Sequence, residues 1–277
     1  MVTSAVTSTV TRKNWLTHPA IATGIAVNVF VLGLAVAWSG PDPKQLWRLL
    51  GEDGIVEWMQ FLCFTVIAGL LAFATVERAR QPGAGRLELL ALGGLSVVVA
   101  LAAIEEISWF QRVLQVQSPD FFLQNNRQAE TNLHNLAVGS GSLHKNVILK
   151  LIVIVGLTHN LILPLLARSR PAVRDFVERF GLYLPPLAAS IPYLVLVILS
   201  HLLIDHPRKG ELGEMFGAVH YLATVFGAYF VGVATKRAPL FENANDGRRL
   251  STLFAMMLVF LLFVAWLLSA GVGATGA

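Results

Sequence analysis

Long runs of apolar residues alternate with short polar connections along almost the whole chain. A membrane-spanning helix needs about 20 consecutive, mostly apolar residues because the hydrocarbon core of a bilayer is about 30 Å thick. The runs of this length lie at 19–39, 54–76, 86–108, 146–167, 181–204, 212–234 and 250–271. The pattern predicts an all-α, polytopic membrane helix bundle of about seven transmembrane helices, a single unit over 19–271 between tails at 1–18 and 272–277.

The connection between the third and fourth runs is long enough to contain an element of its own. Ser118-Pro119-Asp120 is typical of a helix start, because serine caps helix N-termini, proline fits the first helical position and an acid suits the first turn. Gly139 is typical of a helix end. The sequence predicts an interfacial or re-entrant helix over 119–138, with Arg127, Glu130 and His134 along one face.

The basic residues predict how the bundle is oriented. Cytoplasmic connections of membrane proteins carry an excess of Lys and Arg. Of the 21 basic residues, 13 precede the first run or lie between runs two and three, four and five, or six and seven. We therefore expect a protein of the bacterial inner (plasma) membrane whose N-terminus is cytoplasmic and whose C-terminus is outside.

Composition supports a membrane protein and argues against other classes. The chain is 55% hydrophobic and only 14% charged, whereas soluble domains carry about 25% charged residues. The net charge of +4 lies in the connections, so nucleic acid is not an expected partner. Cys63 is the single cysteine and is interpreted as a small buried apolar residue.

Carboxylates and histidines collect at the predicted outer ends of the runs. Ionisable residues in or beside membrane spans are costly and therefore suggest a function. The residues that share this depth are Glu57, Glu105, Glu106, His201, Asp205, His206, Glu211, Glu214 and His220, while His159 lies deeper. Taken singly, each could be a solvated or ion-paired boundary residue or a packing histidine, but their common depth favours one functional site.

The residue types in this group suggest metal-assisted acid–base chemistry. The candidate catalytic residues are Glu105, Glu106, Arg112 and Glu130. The candidate substrate-binding residues are Glu57, Trp109, Arg127, Asn132 and Asn135. The candidate metal ligands are His134, His201, Asp205 and His220. Histidine and carboxylate ligands suit one divalent ion such as Zn, Fe or Mn, and a nearby glutamate could activate a water bound to it.

A resemblance to other proteins covers part of this region. The segments Glu105-Glu106-Ile107-Ser108-Trp109-Phe110-Gln111-Arg112 and Asn132-Leu133-His134-Asn135 resemble a stretch of uncharacterised bacterial polytopic membrane proteins, a resemblance that implies no activity. Glu105-Glu106 resembles the start of the Glu-Glu-x-x-x-Arg motif of CAAX-protease-like intramembrane enzymes, but Arg112 lies two positions beyond the arginine of that motif. Seven-helix ceramidase and adiponectin-receptor-type hydrolases share the number of spans, but 250–271 lacks their histidines. No catalytic role is transferred from either family.

Several functions fit these observations. The first hypothesis is a membrane-embedded enzyme, a metal-dependent hydrolase or transferase, that acts on a lipid or lipid-linked substrate at the outer leaflet. The alternative is a non-enzymatic transporter, lipid- or ion-binding protein or partner subunit with a polar outer cavity. An electron-transfer or quinone-binding subunit is a third hypothesis. Membrane lipids are the expected partners in each case, and the oligomeric state is left open.

Overall fold

The protein is an all-helical bundle, described by a computed structural model over residues 18–40, 43–232, 240 and 244–269. The longer helices are α1 (Pro19–Trp38), α3 (Ile55–Ala79), α4 (Arg86–Glu106), α10 (Leu187–Leu203), α11 (Gly210–Val225) and α12 (Ala244–Ser269). The shorter ones are α2 (Pro43–Leu50), α5 (Gln111–Leu114), α6 (Asp120–Asn125), α7 (Leu149–Leu157), α8 (Leu163–Ser169) and α9 (Pro171–Arg179). The predicted tails lie outside the described residues, apart from His18.

Each predicted apolar run contains a helix of the described structure. The fourth run is continuous over His144–Ser169, with π-helical turns at His144–Ile148 and Thr158–Ile162, and α11 continues into a third π-helical turn at Phe226–Phe230. Four helices in the described residues are long and apolar enough to cross a membrane, namely Pro19–Trp38, Lys44–Ala79, Arg86–Glu106 and His144–Ser169. The apolar stretches Leu187–Leu203 and Ser251–Trp266 are shorter.

The outer surface of the bundle is apolar, as expected of helices in contact with lipid. Leu90 on α4 is 71% exposed and Met256 on α12 is 67% exposed. Soluble proteins rarely expose large contiguous apolar surfaces. The surface therefore supports the prediction of a membrane protein.

The helix α11 lies at the centre of the bundle, in contact with α1, α3 and α10. Small residues allow this close packing. A Cβ atom added to Gly213 would lie 3.4 Å from the side chain of Val197, and one added to Gly217 would lie 3.2 Å from the Tyr193 hydroxyl. Because α11 is central, polar residues in its sequence are placed inside the bundle.

The structure corrects the helix predicted over 119–138, because α6 ends at Asn125. The side-chain oxygen of Asn126 accepts hydrogen bonds from the backbone N–H groups of Gln128 (2.9 Å) and Glu130 (3.3 Å). This local bonding competes with helix formation, and Ala129 has a φ of +55°. The chain then forms a small antiparallel hairpin of β1 (Ala137–Val138) and β2 (Gly141–Ser142).

Candidate functional site

The glutamates predicted to share one depth, Glu57, Glu105, Glu106, Glu211 and Glu214, lie near one another at one end of the bundle. The start of α3, the end of α4 and the start of α11 lie here: Gln60 donates a hydrogen bond to the backbone carbonyl of Glu211, and the guanidinium of Arg112 pairs with Asp53 at 2.9 Å. The connection 107–143 covers this end. We call this end of the bundle, formed by the start of α3, the end of α4, the start of α11 and the connection 107–143, the polar end.

The two segments that carry the family resemblance bind one another through Glu105. One carboxylate oxygen of Glu105 accepts from the Trp109 indole N–H at 2.7 Å. The other accepts from the backbone N–H groups of Leu133 at 2.7 Å and His134 at 3.2 Å, and lies 3.4 Å from Nδ1 of His134. A carboxylate with this many donors is held in its charged form and in one position. Glu105 therefore fastens the connection to the end of α4.

A second tie is formed by Glu130, a buried carboxylate of the connection. Its oxygens accept from the Ser108 hydroxyl at 2.5 Å, from the Asn132 amide at 3.1 Å and from the guanidinium of Arg112. Arg112 also faces Asp53 and Glu57. Although burial lowers the pKa of Arg112, these three carboxylates outweigh that effect and raise it. Arg112 is therefore a permanent positive charge at the centre of the tie.

Three consecutive residues after α4 have a left-handed backbone. Ser108, Trp109 and Phe110 have φ angles of +48°, +56° and +58°, each costing of order 1 kcal/mol for a residue with a side chain. The bonds of Ser108 to Glu130 and of Trp109 to Glu105 hold this turn in place. The turn ends α4 immediately after Glu106 and directs the chain across the polar end.

Glu106 differs from the other acids of this region. Within the described part of the chain, no hydrogen bond or ion pair reaches its carboxyl group. Its electrostatic neighbours are the carboxylates of Glu57, Glu105, Glu211 and Glu214. Neighbouring carboxylates repel one another when all are charged, and a proton on one of them relieves the repulsion. We call these five glutamates the acid cluster.

Each of the other members of the acid cluster has a cationic or donor partner. Glu57 accepts from the backbone N–H of Asp53 and faces Arg112 at 3.6 Å. Glu211 faces Arg208 at 3.4 Å, and Glu214 lies 3.0 Å from Nε2 of His144. The adjacent residues Glu105 and Glu106 therefore occupy opposite environments, one rich in donors and the other rich in carboxylates.

His144 is a site residue that sequence reasoning missed. His144 is the first residue of the π-helical turn at His144–Ile148, and its imidazole pairs with Glu214 of α11. Its ring centroid also lies 6.1 Å from that of His134. A signal was available, because His144 opens the fourth apolar run on the side where the other histidines and acids collect.

The four predicted metal ligands are not brought together, which corrects that part of the prediction. His134 lies beside Glu105, and His220 lies deeper, where its Nε2 is 2.8 Å from the Asn160 side chain. His201 and Asp205 are exposed. Their i, i+4 spacing allows a shared ligand, but no third side chain joins them: in the described ranges, no group of three His, Cys, Asp or Glu residues could hold a metal ion.

The predicted substrate-binding residues divide into three kinds. Asn132 is buried and bonds to Ser108 and Glu130, and Asn135 bonds to Gln128, so both shape the connection. Arg127 is exposed, whereas Glu130, which was predicted to share its helix face, is buried. Glu57 belongs to the acid cluster, and the ring of Trp109 is 46% exposed at the surface of the polar end.

An open groove beside the polar end was also not predicted. It has a volume of about 620 Å³ and is lined by Lys44, Trp47, Arg48, Glu52, Asp53 and Gly54. The apolar face of α2 packs on the bundle through Leu46, Leu49 and Leu50, so its charged face is directed outward. The groove is joined to the acid cluster because the backbone N–H of Asp53 donates to Glu57.

No family model, no curated protein and no solved structure matches this chain.

Proposed function

We propose that this chain is a membrane-embedded hydrolase or transferase that uses the acid cluster for acid–base catalysis on a lipid or lipid-linked substrate. The observation that supports this proposal most strongly is the contrast between Glu105, which has several donors, and Glu106, which has carboxylate neighbours and, among the described residues, no donor. A carboxyl group surrounded by other carboxylates keeps a proton, whereas one that accepts several hydrogen bonds stays charged, so Glu106 is assigned as an acid and Glu105 as a fixed anion.

The roles follow from the partners of each group. Glu106 carries a proton and donates it to the oxygen of the leaving group as the bond to that oxygen breaks. Glu214, paired with His144 at 3.0 Å, accepts the proton of the attacking water or acceptor hydroxyl, directly or through the imidazole. Glu105, Glu130 and Arg112 position these groups, rather than reacting as the sequence suggested. No step requires the metal site predicted from the sequence.

The groove lined by α2 supplies a place for the head group of such a substrate. Lys44 and Arg48 provide positive charges for a phosphate, and Trp47 provides an amphipathic ring of the kind found at membrane interfaces. The acyl or isoprenoid chain would lie along the exposed apolar surface of the bundle. This arrangement supports a substrate that enters from the lipid bilayer.

The proposal is tested by the lipids of cells that express the chain. Lipid extracts from a bacterial host expressing the wild type, Glu106→Gln or Asp120→Asn are compared by mass spectrometry. We expect one lipid or lipid-linked class to change with the wild type and with Asp120→Asn, an exposed acid of α6, and to be unchanged with Glu106→Gln. Equal profiles for Glu106→Gln and the wild type would contradict the proposed role of Glu106.

Cation binding is the second candidate, and one observation favours it. Gln60 is fully buried, and its amide donates to the backbone of Glu211 beside the acid cluster, but its carbonyl oxygen has no hydrogen-bond partner among the described residues. A carbonyl oxygen and several carboxylates are ligands that hard cations prefer. Elemental analysis of protein purified without chelators separates the candidates, since a stoichiometric cation that is lost in Gln60→Leu favours binding or transport.

We further propose that the bundle crosses the membrane seven times, with the N-terminus in the cytoplasm and the polar end outside. The 13 of 21 basic residues on one side of the predicted bundle support this orientation. In the described structure, the end opposite the polar end is held by ion pairs of Arg78 with Glu88 and of Arg249 with Glu77.

The topology predicts where reporters will be found. A reporter fused after Ala277 is expected outside the cytoplasm, and one inserted at Ala244 inside, measured by paired alkaline phosphatase and fluorescent protein fusions. If both reporters lay on the same side, the number of spans between them would be even, and the seven-span proposal would be wrong.

A further inference from the structure

A small cavity lies between α1, α10 and α11. Its volume is about 10 Å³, and its wall is apolar except for Asn28, Tyr193 and His220. A buried water molecule needs a space of about 10–15 Å³ and two to four polar partners. The cavity is therefore large enough for a single water molecule, and its polar residues decide whether one is held.

Asn28 presents an unsatisfied acceptor to this region. The side chain is 2% exposed, its amide nitrogen donates to the backbone carbonyl of Phe216 at 3.0 Å, and its side-chain oxygen has no partner in the part of the chain that the structure describes. Turning the amide over would place that oxygen against the carbonyl oxygen of Phe216. The orientation is therefore fixed, and a buried carbonyl oxygen without a donor is costly.

The hydrogen bonds around Asn160 fix the tautomer of His220. The amide nitrogen of Asn160 donates to the Gly156 carbonyl at 2.9 Å and to the Tyr221 hydroxyl at 2.7 Å. The side-chain oxygen of Asn160 therefore faces Nε2 of His220, at 2.8 Å. Because that oxygen can only accept, Nε2 carries the proton, and in a neutral imidazole Nδ1 is then an acceptor.

We infer that the cavity holds one water molecule, which donates one hydrogen bond to the side-chain oxygen of Asn28 and the other to Nδ1 of His220. Two acceptors line the cavity, and a water molecule has two donors. A metal ion fits poorly, because two neutral ligands in an apolar wall are fewer than such ions require. The water also explains why a polar asparagine and a histidine line the same cavity inside an apolar bundle.

The water would extend a chain of polar groups from the acid cluster into the core. The ring of Tyr193 stacks on that of His220, with centroids 4.7 Å apart, and its hydroxyl lies beside Gly217, one helical turn nearer to Glu214. Tyr193 and Glu214 also interact electrostatically. The inference concerns this hydration site alone and does not depend on the reaction proposed above.

The most direct test is a structure of the full chain at a resolution that shows ordered water. We expect a density peak within hydrogen-bonding distance of both Oδ1 of Asn28 and Nδ1 of His220. An empty cavity in such a map overturns the inference.

A double-mutant cycle tests the same site in solution. Thermal unfolding is measured for Asn28→Leu, His220→Phe and the pair. If one water bridges the two side chains, the second substitution lowers the melting temperature by less than it does on its own. The double variant then loses about 2–4 °C less than the sum of the two single losses. Leu196→Ala, which also lines the cavity but has no polar group, is the matched control and should couple weakly to Asn28→Leu. Equal coupling in both cycles overturns the inference.

A measurement on the wild type avoids variants that fail to fold. In ¹⁵N spectra of histidine-labelled protein, His220 is expected as the Nε2–H tautomer with a hydrogen-bonded Nδ1. The opposite tautomer, or an Nδ1 without a hydrogen bond, overturns the inference.

Discussion

Arg112→Gln is expected to lower the free energy of unfolding by about 3–5 kcal/mol, because removing one partner of a buried ion pair leaves the other charge uncompensated. The largest part of the loss is expected from Glu130, whose carboxylate would be left without its cationic partner. It is buried, and it shares the same network with Ser108 and Asn132. Asp53 and Glu57 lose their attraction to the guanidinium as well. Chemical denaturation of the purified chain in detergent, followed by tryptophan fluorescence, measures the effect.

The matched control for this prediction is Arg127→Gln, which removes the same charge from an exposed position of the same connection. Surface substitutions of this kind usually change stability by less than about 0.5 kcal/mol. The tie also predicts a local effect, since Arg112→Gln should expose the connection 107–143 to limited proteolysis. If both variants had the same stability and cleavage pattern, Arg112 would not hold the connection.

The positions of the helices could be predicted from sequence because a bilayer imposes a simple rule. A segment that crosses the hydrocarbon must satisfy its backbone internally and present apolar side chains on most faces. The run predicted at 86–108 is the helix Arg86–Glu106, and the run at 19–39 is Pro19–Trp38. Boundaries were less accurate where proline decides them, as in α10, which begins at Leu187 directly after Pro186 rather than at 181.

The structure of the connection 107–143 could not be predicted from such rules. The start signal at Ser118-Pro119-Asp120 does precede a helix, but the Ser118 hydroxyl donates to the carbonyl of Ala129 instead of capping it. The helix stops after six residues because Asn126 bonds to the backbone ahead of it. Local competition of this kind depends on side-chain geometry, which residue spacing does not reveal.

The structure brings some of the predicted site residues together, but whether they form a functional site stays a prediction. Depth along the spans brings Glu57, Glu105 and Glu106 to one end of the bundle, where the structure also places Glu211 and Glu214. Which acids react and which support the fold depends on partners far away in sequence. The bonds of Glu130 to Ser108 and Arg112 and of Glu105 to Leu133 are set only when the chain is folded.

Glu105→Gln and Glu106→Gln should therefore have opposite effects, although the residues are adjacent and the change is the same. Glutamine at 105 keeps one acceptor oxygen but loses the charge that Leu133, His134 and Trp109 surround. We expect this variant to lose about 1.5–3 kcal/mol of stability, the range for hydrogen bonds to a charged group. Glutamine at 106 replaces a protonated, neutral carboxyl with a neutral amide of the same size and leaves the charges of the neighbouring carboxylates unchanged, so we expect stability equal to or above that of the wild type.

The variant that keeps its stability, Glu106→Gln, should lose activity, and the destabilised variant, Glu105→Gln, should keep it. Glu106→Gln cannot donate a proton and should lose at least about 100-fold in turnover of the lipid class identified in the host, the usual contribution of a general acid. Glu105→Gln should retain activity in proportion to the fraction that remains folded. Both variants are measured for melting temperature and turnover in the same detergent. A carboxyl group that holds no structural hydrogen bonds can change its protonation state during a reaction without loosening the fold. If Glu106→Gln were destabilised and Glu105→Gln were stable but inactive, the roles assigned to the two residues would therefore have to be exchanged.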